Sequence, residues 1–137
     1  MTEADRRQRE IVDEFASLDD WMLRFQQLVE HGQAMAPMAE ADKTDGRLVR
    51  GCQSRVWLAA GAEGGAFRVW ADSEAQIVRG LASLLVRVYD GLPPAEAADA
   101  EVWFPAEIGL ADHLSPNRAN GLDAMRRAVR AAAQAAA

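Results

Sequence analysis

The 137-residue chain is 50% hydrophobic and 26% charged, a composition that supports one hydrophobic core and excludes a disordered or fibrous protein. Its formal net charge of -6 and sequence pI near 4.9 argue against broad attraction to nucleic acid or to anionic membranes. The opening MTEADRRQREIVDEF is charged where a secretory leader needs an apolar stretch, and no later segment matches the uncharged span of a membrane helix, so a single cytoplasmic domain, 1–137, is expected.

Ile11, Val12, Phe15 and Leu18 recur at helical spacing, and Trp21, Phe25, Leu28 and Val29 repeat the pattern after Asp19 and Asp20, either of which suits a helix cap. Two N-terminal helices are therefore expected, ending near Gly32. QAMAPMAEADKTDG then breaks the period with Pro37 and Gly46 and reads as a connection without strong regular structure. SRVWLAA and AFRVWAD, rich in β-branched and aromatic residues and separated by GAEGG, predict a β-hairpin.

Beyond the hairpin, Ile77, Val78, Leu81, Leu84, Leu85 and Val88 make one apolar helix face, with Ser73 and Gln76 spaced for a capping box. Gly91 and the Pro93-Pro94 pair end that helix, and a short helical turn is expected over Ala95–Ala98. A last helix opens at Ser115-Pro116 and runs into an alanine-rich end expected to fray. Helices, a hairpin, then helices, with no alternation of strand and helix, predict an α+β fold: a small antiparallel sheet packed against N- and C-terminal helices. No internal repeat is visible.

Cys52, in RLVRGCQSRVWLAAG, is the only cysteine. It has no partner for an internal disulfide and no second thiolate to share a metal, which leaves burial or reactivity with something outside the chain. Free cysteines usually behave as small buried hydrophobes, and residue patterns alone do not choose between the two. Gly51 gives the backbone beside it unusual freedom. Arg50 and Arg55 flank it and would favour a thiolate, although solvated surface charges are the plainer account of both.

Three separated segments, GCQSRVWL at 51–58, ADSEAQIVRGLASLLVRVYDGLPPAE at 71–96 and LADHLSPNRANGLDAM at 110–125, resemble the SufE family and occur in that family's order. The first 45 residues match only loosely, so no functional residue is carried over from them. The resemblance implies a fold shared with IscU-type scaffolds, and the activity of a sulfur acceptor. Such a protein takes persulfide sulfur from a cysteine desulfurase of the Suf or Csd type and passes it to iron–sulfur cluster assembly. It places the essential thiol on Cys52, and Arg118 of HLSPNR matches an arginine of the family motif, near the thiol loop or the partner surface. Gly51 would support the loop. The implied chain holds no cofactor or metal of its own; pyridoxal phosphate belongs to the desulfurase, whose chemistry releases the sulfur.

Arg55 stands where SufE relatives often carry glutamine. Asp72 and Ser73 match the family motif too, yet a capped strand-to-helix junction explains them. His31 and His113 are too few and too isolated for a metal site, with a helix-end or packing role favoured for His113. Trp57, Trp70, Trp103 and Phe104 read as core or sheet-face aromatics, and Asn120 and Gly121 as backbone or packing residues. Two other function classes fit a lone thiol: a single-cysteine redox enzyme, which would need an external resolving thiol, and an interaction module indifferent to Cys52. For a carrier, an apolar pocket walled by the hairpin aromatics, with Cys52 turned inward until a partner docks, would shield a persulfide.

Overall fold

The computed structural model describes residues 1–137 and begins with two capped helices. Thr2 accepts from the Asp5 amide at the start of α1 (Glu3–Ala16), which buries Ile11, Val12 and Phe15 along one face. Asp20 accepts from the Leu23 amide at 2.9 Å and opens α2 (Trp21–Ala34), as its position before the apolar repeat implied.

The segment after α2 is more ordered than its sequence suggests. It carries two short 3-10 turns, Glu40–Asp42 and Asp45–Arg47, and forms a strap held by Asp72. The Asp72 carboxylate is buried, accepts from the Met38 amide at 2.9 Å, and pairs with Arg79 at 3.3 Å and Lys43 at 3.6 Å. Asp72 is thus a tether for the strap and not a helix cap.

β1 (Val56–Glu63) and β2 (Ala66–Ser73) form the antiparallel sheet, in register from Val56↔Ser73 to Glu63↔Ala66. The turn is tighter than GAEGG implied: Gly64 and Gly65, at φ 62° and 83°, make the two-residue loop whose twist suits a hairpin. Val56, Phe67, Val69 and Ala71 face the core, and Trp70, on the opposite face, is exposed. On the other side of β1, Leu48 bridges to Trp57, and the Val49 amide donates to the Val56 carbonyl at 2.8 Å.

α3 (Gln76–Tyr89) is the central helix, burying Val78, Leu81, Leu84, Leu85, Val88 and Tyr89. Its expected capping box does not form. The cap position is Ala75, without a side-chain cap bond; Ser73 ends β2, donating to the Arg55 carbonyl at 2.8 Å and accepting from the Ala75 amide at 3.3 Å. α2 crosses α3 so closely that a Cβ on Gly80 would lie 2.1 Å from the Leu28 carbonyl oxygen.

After Gly91 come α4 (Pro94–Asp99) and α5 (Phe104–Ile108), the latter too short to show a period in the sequence. The buried Gln8 amide fixes the intervening chain, donating to the Glu101 carbonyl and accepting from the Trp103 and Phe104 amides. α6 (Pro116–Ala136) starts at the Ser115 cap. Its alanine-rich end does not fray, because Ala133 is fully buried and Ala136 packs on the core. A cluster of 27 buried residues joins all six helices and both strands, giving an α+β fold in which helices from both ends of the chain cover a two-stranded sheet. No helix is long and apolar enough to cross a membrane.

Candidate functional site

Between the Leu48 bridge and β1 the chain makes a loop turned by Gly51, whose φ of +93° is a conformation that L side chains resist. A Cβ there would also approach the Ala124 Cβ to 3.4 Å, so a glycine lets the loop lie against α6. Cys52 follows, half-buried, and its thiol donates to the Gly121 carbonyl at 3.6 Å. A Cβ on Gly121 would stand 3.6 Å from the sulfur, an ordinary contact, so the thiol meets this residue through its carbonyl.

The thiol opens on a cavity of about 310 Å³ between the loop and the N-terminal turn of α6. Gln53 and Ser54 line it from one side, and Ser115, Asn117 and Arg118 from the other, with Val78 at its base. Residues more than sixty positions apart are brought together because α6 packs against β1 and α3. Arg118 is exposed and its guanidinium has no carboxylate partner, so a cation stands free at the edge of the thiol's cavity.

The walls are polar, contrary to the aromatic pocket expected for shielding. Trp57 is buried under Lys43 and Arg55, each about 5.2 Å from its ring. Trp70 points away on the outer face, where a larger cavity of about 740 Å³ beneath the strap shares no lining residue with the thiol's.

Burial pushes the Cys52 thiol above its ordinary pKa, and the S–H bond to Gly121 acts in the same direction because only the protonated form donates. The flanking arginines do not offset this. Arg55 is engaged with Glu74 at 2.7 and 2.9 Å and lies over Trp57, while Arg50 is exposed outside the cavity. The free protein therefore holds Cys52 as a thiol at neutral pH.

The remaining candidates have structural surroundings. His113 stacks on Trp21 with ring centroids 3.9 Å apart, and His31 pairs with Glu14. No group of three or more His, Cys, Asp or Glu side chains is placed to hold a metal ion. Asn120 is exposed, and Gly121 engages the thiol through its carbonyl. Sequence reasoning missed Asn117, Gln53 and Ser54 as cavity walls; their positions inside the two quoted segments were the available signal.

The SufE family model, described as an Fe-S metabolism associated domain, matches residues 9–133. An uncharacterised SufE-like protein of Rhizobium etli is 36% identical over 126 residues, covering 88% of this chain and 85% of its own. Another from Rhizobium meliloti is 37% identical over 131 residues, covering 91% and 93%. Among solved structures, the solution structure of a hypothetical protein from Thermus thermophilus superposes with a TM-score of 0.78 at 26% identity, over 95% of both chains. The match reaches well into the first 45 residues, where the motif resemblance was loose, and takes in both the Cys52 loop and the start of α6: this chain belongs to the SufE family, whose domain is associated with iron–sulfur metabolism.

Proposed function

We propose that this chain is the sulfur acceptor and activator of a cysteine desulfurase of the Suf or Csd type, acting in the cytoplasm as a single domain and delivering sulfur to iron–sulfur cluster assembly. The observation that carries the reading is the lone thiol of Cys52 opening on a polar cavity beside the unpaired guanidinium of Arg118, within a SufE domain. The donor's pyridoxal phosphate releases sulfur from cysteine and leaves it as a persulfide on the donor's own cysteine. This chain then supplies a nucleophile and needs no cofactor.

In the transfer, the Cys52 thiol gives up its proton and the thiolate attacks the outer sulfur of the donor persulfide. One S–S bond forms on Cys52 as the donor's S–S bond breaks, and the donor cysteine leaves as a thiolate that takes up a proton. No net oxidation occurs, so direction is set by the acidities of the two thiols and by removal of product. Docking must overcome the burial that keeps Cys52 protonated, which makes transfer conditional on the partner. Once loaded, the terminal sulfur is an anion, and Arg118, which lines the same cavity, is the cation that would stabilise it.

The test is intact mass after incubation with purified Suf- and Csd-type desulfurases and cysteine. The wild type is expected to gain whole sulfur atoms and Cys52→Ser none, since a hydroxyl does not replace a thiolate as soft nucleophile. Sulfur retained by the serine variant, or a wild type that accepts none from any donor, overturns the reading.

A further inference from the structure

A second cavity, of about 440 Å³, lies across the thiol loop from the first. Arg47, Arg50 and Arg127 line it, together with Leu48, Val49 and Ala124. The two cavities share no lining residue, yet both rest on one stripe of α6: Asn117 and Gly121 face the thiol's cavity, and Ala124 and Ala128, continuing the helical spacing, face the arginine cavity. The loop crosses that stripe where Gly51 lies against Ala124 and the Cys52 thiol meets the Gly121 carbonyl. In a chain of net charge -6, no Asp or Glu lines either cavity. Arg47 pairs with Asp42 at 3.5 Å, and Arg127 shares Asp123 with Arg126, at 3.1 and 2.7 Å. Arg50 is exposed and has no carboxylate partner.

We infer that the cavity of Arg47, Arg50 and Arg127 receives an acidic segment of the cysteine desulfurase, which thereby grips the thiol loop from the flank opposite Arg118. The inference rests on the function proposed above, and the chain itself fixes the distances. A donor must bring its persulfide to Cys52, and a specific interface covers about 800 Å² on each partner, a disc of roughly 16 Å radius. Arg50 is two residues from Cys52 in the same loop, so their backbones are no more than about 7 Å apart. Arg127 is six residues beyond Gly121, about 9 Å along the axis of α6. Both arginines therefore stand inside a footprint centred on the thiol.

Charge and shape name the occupant. A guanidinium without a carboxylate partner gains most from one supplied by another protein, through a forked pair of charged hydrogen bonds. Arg47 and Arg127, steadied by Asp42 and Asp123, add to the field that an incoming carboxylate meets. Leu48 and Val49 offer aliphatic contact between the arginines. The expected occupant is a stretch of the donor that carries Asp or Glu beside apolar side chains, next to its persulfide-bearing cysteine. Such a pairing steers the encounter and fixes the register in which the two sulfurs meet.

Lys43 is the chain's only lysine, so Arg50→Lys introduces a single new amine at the loop. A carbodiimide, which joins amines directly to carboxylates, should crosslink position 50 of that variant to an Asp or Glu of a bound, purified desulfurase, located by peptide mapping. In calorimetry Arg50→Glu should weaken binding about tenfold or more at low salt, with the gap narrowing in about 0.3 M NaCl as the charges are screened. Arg9→Glu, an equal change of charge on α1, should bind within about twofold of the wild type. Wild-type binding by Arg50→Glu, equal weakening by Arg9→Glu, or the absence of a crosslink from position 50 each overturns the inference. A wild type that binds but takes no sulfur defeats the sulfur-acceptor reading and leaves the acidic docking standing, so the two failures are told apart.

Discussion

The half-buried thiol makes a quantitative prediction about the free protein. An unhindered cysteine with a pKa near 8.5 is about one-tenth thiolate at pH 7.5. Cys52 should fall below that fraction, because burial disfavours its anion and the bond to the Gly121 carbonyl holds its proton. Alkylation by iodoacetamide, followed by intact mass from pH 6 to 10, should therefore have a midpoint displaced upward from that of the peptide GCQSRV. The two measurements check one another: if thiolate fraction is the whole cause, each unit of displacement slows labelling at neutral pH by about tenfold. Any further slowing measures steric cover from α6. Docking a desulfurase whose own acceptor cysteine is serine should accelerate the labelling.

The same shift has a thermodynamic counterpart. Folded Cys52 keeps its proton to higher pH than the unfolded chain does, so stability should fall as pH rises through the window between the two midpoints, and Cys52→Ser should remove that slope. Free protein that labels as fast as the peptide, with the same midpoint, would refute the inward placement of the thiol. A midpoint below the peptide's would mean that Arg118, and not burial, governs Cys52.

Arg118→Ala should leave folding intact, because the side chain is exposed and unpaired, yet lower the yield of persulfide on Cys52 in the mass assay, with Arg118→Lys partly restoring it; an unchanged yield removes the arginine from the site. Gly80→Ala should destabilise the protein by about 3 kcal/mol in denaturant titration, since its Cβ would meet the Leu28 carbonyl oxygen at 2.1 Å and only backbone movement relieves the clash; a loss under about 1 kcal/mol would show that α2 and α3 separate easily. Burial opposes ionisation of Glu14, but hydrogen bonds from His31 and Gln27 and the charge of Arg87 outweigh it, holding its carboxyl below the usual carboxylate range. Its stabilisation is thus present above the unfolded carboxyl pKa and lost as pH falls through the folded one, and Glu14→Gln should flatten the acid limb of the stability curve below about pH 5.

Much of the fold was legible because it is local. Helix periods, the Asp20 and Ser115 caps, the hairpin with its glycines and the stop at Gly91 each depend on residues within one or two turns of chain, where periodicity and capping rules apply. Cys52 could be singled out because there is one thiol and its flanking motif is distinctive. What sequence could not decide depends on contacts between distant segments. Asp72 and Ser73 have the residue types of a cap, but buried pairing with Arg79 and Lys43 and the bond to the Arg55 carbonyl engage them elsewhere. The alanine-rich tail looks weakly held by its own composition, yet burial of Ala133 carries α6 to its end. The environment of Cys52 is the same kind of question. Whether a thiol is exposed, acidic or shielded is set by what packs on it, and only the docking of α6 puts the Gly121 carbonyl on its sulfur and Arg118 at the edge of its cavity.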